Sequence, residues 1–107
     1  MSDIVSLSEK APAQKTLITI TVPANCKPYI NDIRRFVNAM LYKLEKNAHK
    51  GRWESLSLQG EYDKMLAEVE ELRQAMEGRN TVDILLEAAD VANFALIIAS
   101  KELDGEK

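Results

Sequence analysis

Two pairs of carboxylates lie in the second half of this 107-residue chain, Glu68 with Glu71 and Glu87 with Asp90. The acids of each pair are three residues apart, so on a helix they share one face, with Cβ atoms roughly 5–6 Å apart. If two such faces pack together, four carboxylates converge on one point. Like charges about 4 Å apart repel by roughly 4 kcal/mol at an effective dielectric constant near 20. The pattern therefore favours a bound cation, and hard divalent ions such as Mg2+ prefer oxygen ligands.

The surroundings of the two pairs differ. Glu68, Glu71 and the intervening Glu70 have Lys64 and Arg73 at helical spacing, which taken alone is typical of a solvated helix face. The second pair has no Lys or Arg between positions 84 and 100, in a segment rich in alanine. Acids beside an apolar face, without a local cation on their own helix, favour a metal. Neither pair contains the His of a di-iron bundle, which favours Mg2+ or Mn2+.

Apolar residues at three- and four-residue spacing predict three helices. We expect the first from position 29 to about 50, the second from an N-cap at Ser57 to about 77, and the third, capped by Thr81, over about 82–102. Gly78 is well placed to end the second helix. The predicted core positions are Ile30, Ile33, Phe36, Val37, Met40, Leu41 and Leu44, then Leu58, Tyr62, Met65, Val69, Leu72 and Met76, then Leu85, Ala88, Ala92, Ala95, Leu96 and Ala99.

The predicted fold is an all-α antiparallel helical bundle over residues 29–107, preceded by an N-terminal tail, 1–28. Alternating β-branched residues predict a short strand or extended arm at 16–22 within that tail. A single strand needs a partner, such as the same strand of another subunit. A chain this short has a modest core, so we expect a second copy to complete it.

Composition narrows the class of protein. The net charge of −3 argues against a broad nucleic-acid surface. The single cysteine, Cys26, cannot form an internal disulfide, which fits a reducing cytoplasm. No apolar run is long enough to span a membrane. Thr19 and Thr21 interrupt the only candidate export signal, and Asn25 is a poor residue before a lipidated cysteine or a cleavage site, so we expect a cytoplasmic protein without a membrane partner.

Further polar residues have both structural and functional interpretations. His49, Lys50, Arg52 and Trp53 fit an ordinary helix end, with basic residues favouring the C-terminal dipole. They equally fit a substrate clamp, with cations on phosphate and a ring stacked on a base. Asn93 continues the row of the second acid pair by three residues, either as an interhelical hydrogen-bonding group or as a contact to a sugar or base. An unpaired amide costs stability, which favours the functional role.

The chain resembles the MazG-like nucleoside triphosphate pyrophosphohydrolases, an all-α group related to the dimeric dUTPases. The family motif is roughly E-E-x-x-E, a spacer, then E-x-x-D, and the matching segments here are residues 67–71 and 87–90. Residues 49–53, His-Lys-Gly-Arg-Trp, and 87–94 also look like segments of short phage and bacterial members. The resemblance covers about residues 29–102.

The resemblance implies a four-helix core completed by oligomerisation, as a homodimer or homotetramer with sites at subunit interfaces. It implies that Glu68, Glu71, Glu87 and Asp90 bind one or two Mg2+ ions, with Mn2+ as a substitute. Glu68 or Glu71 would act as general base in cleaving a nucleotide to the monophosphate and pyrophosphate. The implied substrate-binding residues are His49, Lys50, Arg52, Trp53, Asn93 and Lys101.

One departure from the motif leaves other functions open. The first Glu of the family pattern is Ala67 here. The alternatives are a catalytically weak member that binds nucleotide or metal, and a helical oligomeric interaction protein whose acids are merely solvated.

Overall fold

A computed structural model describes residues 15–48 and 56–105 of the chain. Three α-helices carry the fold: α1 (Ile30–Asn47), α2 (Leu58–Gly78) and α3 (Thr81–Gly105). A short 3₁₀ helix, Ala24–Tyr29, leads into α1. The all-α prediction is confirmed for these residues, and the three predicted helices form close to their expected bounds.

The last helix lies at the centre of the arrangement. α3 packs against both α2 and α1, whereas the Cα atoms of α1 and α2 stay more than 8 Å apart in the described part of the chain. The turn between α2 and α3 is only Arg79 and Asn80, so α3 runs back along α2. Any site shared by the three helices must therefore be built around α3.

The strand predicted at 16–22 is wrong. Residues 15–23 have no regular secondary structure, and no strand occurs anywhere in the ranges that the structure describes. Leu17, Ile18 and Ile20 are more than two-thirds exposed. The β-branched pattern is real, but a strand requires a hydrogen-bonding neighbour, and the described residues of this chain offer none.

The helix caps show which polar residues end each helix. The hydroxyl of Ser57 accepts a hydrogen bond from the Gly60 amide at 3.0 Å, which confirms the predicted N-cap of α2. α2 ends at Gly78, and the next residue, Arg79, takes the left-handed conformation with φ 58°. The predicted cap at Thr81 is wrong by one position. Asn80 is the cap of α3, because its Oδ1 accepts from the Asp83 amide at 2.9 Å.

The inner faces of the helices are more polar than the periodicity predicted. In the described ranges the buried residues are Ala39, Glu61, Ala89 and Asn93. Along α2 the inward row is Glu61, Met65, Glu68, Leu72 and Ala75. Predicted core positions that are instead exposed include Ile33, Val37, Leu41, Leu58, Tyr62, Val69, Met76, Leu85, Ala95, Leu96 and Ala99. They remain uncovered because α1 and α2 each pack on one side only, against α3.

Over the described ranges, none of the helices combines the length and apolar character required to cross a membrane.

The position of the α3 cap can be tested by two neighbouring substitutions. Asn80→Ala removes the acceptor for the Asp83 amide and should lower the free energy of unfolding by about 1 kcal/mol. Thr81→Ala, one residue later, should change it much less. Urea unfolding followed by circular dichroism measures both. Equal losses, or a larger loss for Thr81→Ala, would show that the cap is assigned to the wrong residue.

Candidate metal centre

Three of the four predicted metal ligands converge between α2 and α3. Carboxylate oxygens of Glu68, Glu71 and Glu87 all lie within 4.8 Å of one another. The first two are one turn apart on α2, and the antiparallel hairpin brings Glu87 of α3 opposite them. The local spacing and the two-residue turn thus produce the predicted encounter of the two acid faces.

Two oxygens of this cluster are buried without a hydrogen-bond donor. No donor among residues 15–48 and 56–105 reaches Glu68 Oε1 or Glu87 Oε1. A buried polar atom left unpaired costs about 1–3 kcal/mol, and more when it is charged. A bound cation, a proton shared between the two carboxyl groups, or an ordered water molecule would relieve this cost.

The electrostatics of the cluster favour a proton when no cation is bound. Desolvation raises the pKa of Glu68 from 4.5 to about 7, and the nearby charges of Asp90, Glu71 and Glu87 add to the effect. Desolvation also raises the pKa of Glu87, aided by the charges of Glu71 and Asp90. A protonated Glu68 can donate to Glu87, and this hydrogen bond partly offsets the rise in the pKa of Glu87.

Asp90, the fourth predicted ligand, pairs with a lysine of another helix. Its Oδ2 lies 3.2 Å from Lys43 Nζ of α1. Asp90 has no Lys or Arg within ten positions on α3, but α1 supplies a cation across the interface. The ammonium group of Lys43 also lowers the pKa values of Glu68 and Glu87 against the larger opposing effects. Lys43 is therefore part of the site. Because it lies far from the acids in the sequence, no local pattern predicts that it meets them.

Glu70 does not join the cluster formed by its neighbours Glu68 and Glu71. It is exposed and binds Arg73, with a shortest distance of 2.7 Å. Hydrogen bonds from Arg73 and Gln74 lower the pKa of Glu70. The interpretation as a solvated helix face therefore holds for Glu70, whereas Glu68 turns inward.

Asn93 joins α3 to α1. Its amide nitrogen donates to the carbonyl oxygen of Met40 at 3.1 Å, and the side chain is buried. Its Oδ1 finds no donor in the described part of the chain. The structure thus shows the interhelical contact, and the predicted contact of Asn93 to a sugar or base stays a prediction.

Lys101 is engaged in a second charged contact farther along the hairpin. Its Nζ lies 3.2 Å from Glu61 Oε2 and donates to the carbonyl oxygen of Leu56. Glu61 is only 3% exposed. Because it precedes Glu68 by seven residues, it lies about 10 Å away along the helix axis, outside the three-carboxylate cluster. Sequence reasoning missed Glu61, since one more Glu in an acidic helix carries no signal.

The remaining predicted site residues, His49, Lys50, Arg52 and Trp53, lie outside the described residues.

The donor set suits a hard divalent cation. All three convergent ligands are carboxylates, the ligand type of Mg2+, Mn2+ and Ca2+ rather than of soft metals. Oxygens bound to one Mg2+ at 2.0–2.1 Å lie at most about 4.2 Å apart, and the carboxylate oxygens of this cluster lie within 4.8 Å of one another. The cluster is therefore a candidate site for a divalent cation.

The raised pKa of Glu68 predicts how the metal-free protein responds to pH. A carboxyl group that holds its proton more tightly when folded stabilises the protein below pH 4.5 and loses that contribution as the pH rises to about 7. In EDTA, the melting temperature should fall over this window, and Glu68→Gln should reduce the fall. Glu70→Gln, which alters an exposed glutamate of the same helix, is the control. If both variants follow the wild-type profile, Glu68 does not hold the proton.

Comparisons with family models, with curated proteins and with solved structures found no match for this chain. The resemblance to the MazG-like enzymes therefore stays a prediction from the motifs, and the site must be interpreted from its own geometry.

Proposed function

We propose that the chain is a metal-dependent nucleotide pyrophosphohydrolase, which cleaves ribo- or deoxynucleoside triphosphates, or modified nucleotides, to the monophosphate and pyrophosphate. The observation that carries this proposal is the convergence of Glu68, Glu71 and Glu87 within 4.8 Å, with two buried oxygens that lack donors in the described ranges. Without a cation, the carboxylates of this site repel one another. Such a site suits a reaction whose polyanionic substrate binds together with a metal ion.

Each acid has a role in the proposed reaction. Glu68, Glu71, Glu87 and Asp90 would hold the ion, and Glu68 would release its proton to do so. Bound Mg2+ would neutralise charge on the triphosphate and lower the pKa of a water molecule. Glu71 is the most exposed of the three convergent acids, so it has room to accept the proton of that water as general base; Glu68 is the alternative base.

The proposal includes the substrate-binding residues that the family resemblance implies. Lys50 and Arg52 would contact phosphates, with His49 or Trp53 against the base. Lys101 already binds Glu61 in this chain, so a Lys101 of a neighbouring subunit, or one released from Glu61, would serve here. Asn93 is buried between α3 and α1, so a sugar or base would reach its Oδ1 only after the contact with Met40 opens.

A homo-oligomer is the second part of the proposal. On α1, Ile33, Val37 and Leu41 follow one face and are 46%, 39% and 51% exposed. Tyr62, Leu66 and Val69 are similarly uncovered on α2. Helix faces of this character are normally buried, and a second copy of the chain offers the same faces in return. The resemblance implies the same four-helix completion.

Two observations keep the alternatives in view. Position 67, where the family motif has its first Glu, is an exposed Ala next to half-buried Glu68, which motivates a member that binds metal or nucleotide but turns over weakly. The exposed apolar faces would by themselves also serve a helical interaction protein.

The enzyme can be tested with a panel of standard and modified nucleotides in Mg2+, measuring pyrophosphate release. Glu71→Gln and Asp90→Asn should each lower the rate at least about a hundredfold, since each removes a ligand or a base. Glu70→Gln is the matched control, because Glu70 lies between the motif acids in sequence yet binds exposed Arg73, and it should keep full activity.

The same panel separates the alternatives. Nucleotide binding without pyrophosphate release would favour the catalytically weak member. Stability and nucleotide binding that do not change when Mg2+ is removed would rule out the metal centre and leave the interaction protein.

The oligomer can be tested by light scattering on eluting protein. Val37→Glu places a charge on the exposed apolar face of α1 and should shift the population toward monomer. Asn38→Glu, on the adjacent exposed position, should leave it unchanged. A wild-type chain that elutes as a monomer at all concentrations would contradict the proposed assembly.

A further inference from the structure

Lys43 brings a positive charge from α1 to the acid face of α3. Its Nζ lies 3.2 Å from Asp90 Oδ2, and the two side chains are only 21% and 18% exposed. The surface pair of Arg35 and Asp32 provides a contrast, since those side chains are 73% and 66% exposed. Water screens the Lys43–Asp90 pair much less than such a surface pair, so its charges interact more strongly.

The ion pair between Lys43 and Asp90 separates Asp90 from the other three predicted metal ligands. Glu68, Glu71 and Glu87 point their oxygens at one another, and Asp90 is turned to the lysine. Asp90 is nevertheless close enough for its charge to act on Glu68 and Glu87. The charge of Asp90 thus belongs to the same cluster, although its nearest partner is Lys43.

A hydrogen bond between α3 and α1, one helical turn away on both helices, holds the Lys43–Asp90 ion pair in place. Met40 precedes Lys43 by three residues, as Asp90 precedes Asn93, and the Asn93 amide donates to the Met40 carbonyl at 3.1 Å. The backbones of α1 and α3 are thus fixed in register at this point. The flexible lysine side chain is the part that can leave when a stronger cation arrives.

We propose that Lys43 is a built-in cation that competes with the divalent metal for Asp90 and thereby sets the affinity of the metal centre. Without metal, the ammonium group holds the fourth carboxylate and offsets part of the repulsion among the acids. Metal binding displaces Lys43 from Asp90. This inference rests on the metal centre of the proposed function, to which it adds a positioning residue that acts through Asp90.

Titration calorimetry with Mg2+ and Mn2+ tests the competition. Lys43→Met removes the competing charge and keeps the length of the side chain, so it should bind metal roughly tenfold more tightly, about 1.4 kcal/mol. Lys43→Arg keeps a competing cation and should stay near the wild-type affinity. Lys46→Met is the control for net charge, because Lys46 is an exposed lysine of the same helix, over the ring of Tyr42.

If folded Lys43→Met binds Mg2+ and Mn2+ with unchanged or weaker affinity, the inference is overturned. Removal of a competing cation must strengthen metal binding, whereas removal of a lysine that only supports the fold does not. Wild-type protein that binds neither ion would instead overturn the metal centre and the proposed function with it. The two failures are therefore distinguishable.

A second measurement on wild-type protein does not depend on the folding of a variant. The rate of acetylation of each lysine by an amine-reactive ester can be followed by peptide mass spectrometry, with and without saturating Mg2+. Displacement from Asp90 should raise the rate at Lys43 several-fold and leave Lys46 unchanged. A rate at Lys43 that does not rise on metal binding would show that the lysine keeps its partner.

Discussion

The repulsion among carboxylates held between α2 and α3 is the constraint on which the rest of this structure depends. Glu68, Glu71 and Glu87 bring their oxygens within 4.8 Å of one another, in surroundings that partly exclude water. Two features of the structure lower this cost, a proton on Glu68 and the ammonium group of Lys43, and the proposed divalent cation would be a third. In the proposed metal centre these responses would compete, and pH, metal affinity and stability would be linked through one cluster.

The central position of α3 explains how a small chain holds so much charge on its inner faces. α3 contacts both other helices, and Ala89 of α3 is completely buried. Polar contacts then take the places that large apolar side chains occupy in most bundles. Asn93 binds the α1 backbone, and Lys101 binds Glu61 of α2. The apolar faces of α1 and α2 stay largely uncovered, which is the physical basis for proposing a second copy of the chain.

Local signals in the sequence determined the helices and the identity of the acid cluster. Apolar spacing placed all three helices, and Ser57 was recognised as a cap, because caps and periodicity depend on residues a few positions apart. The meeting of Glu68 and Glu71 with Glu87 followed from i, i+3 spacing and a short turn. The same local reasoning failed at residues 16–22, where a strand pattern has no partner among the described residues, and at Thr81, where neighbouring Asn80 is the cap.

Only the tertiary structure decided which side of each helix faces inward and which charges meet. Periodicity selected the most apolar stripe, but α2 turns Glu61 and Glu68 toward α3 and leaves Tyr62 and Val69 exposed. The pairing of Lys43 with Asp90 joins residues far apart in the chain, and so does that of Lys101 with Glu61. Such contacts depend on the register and rotation of whole helices. Those are set by packing on α3, and no short segment of the sequence carries that information.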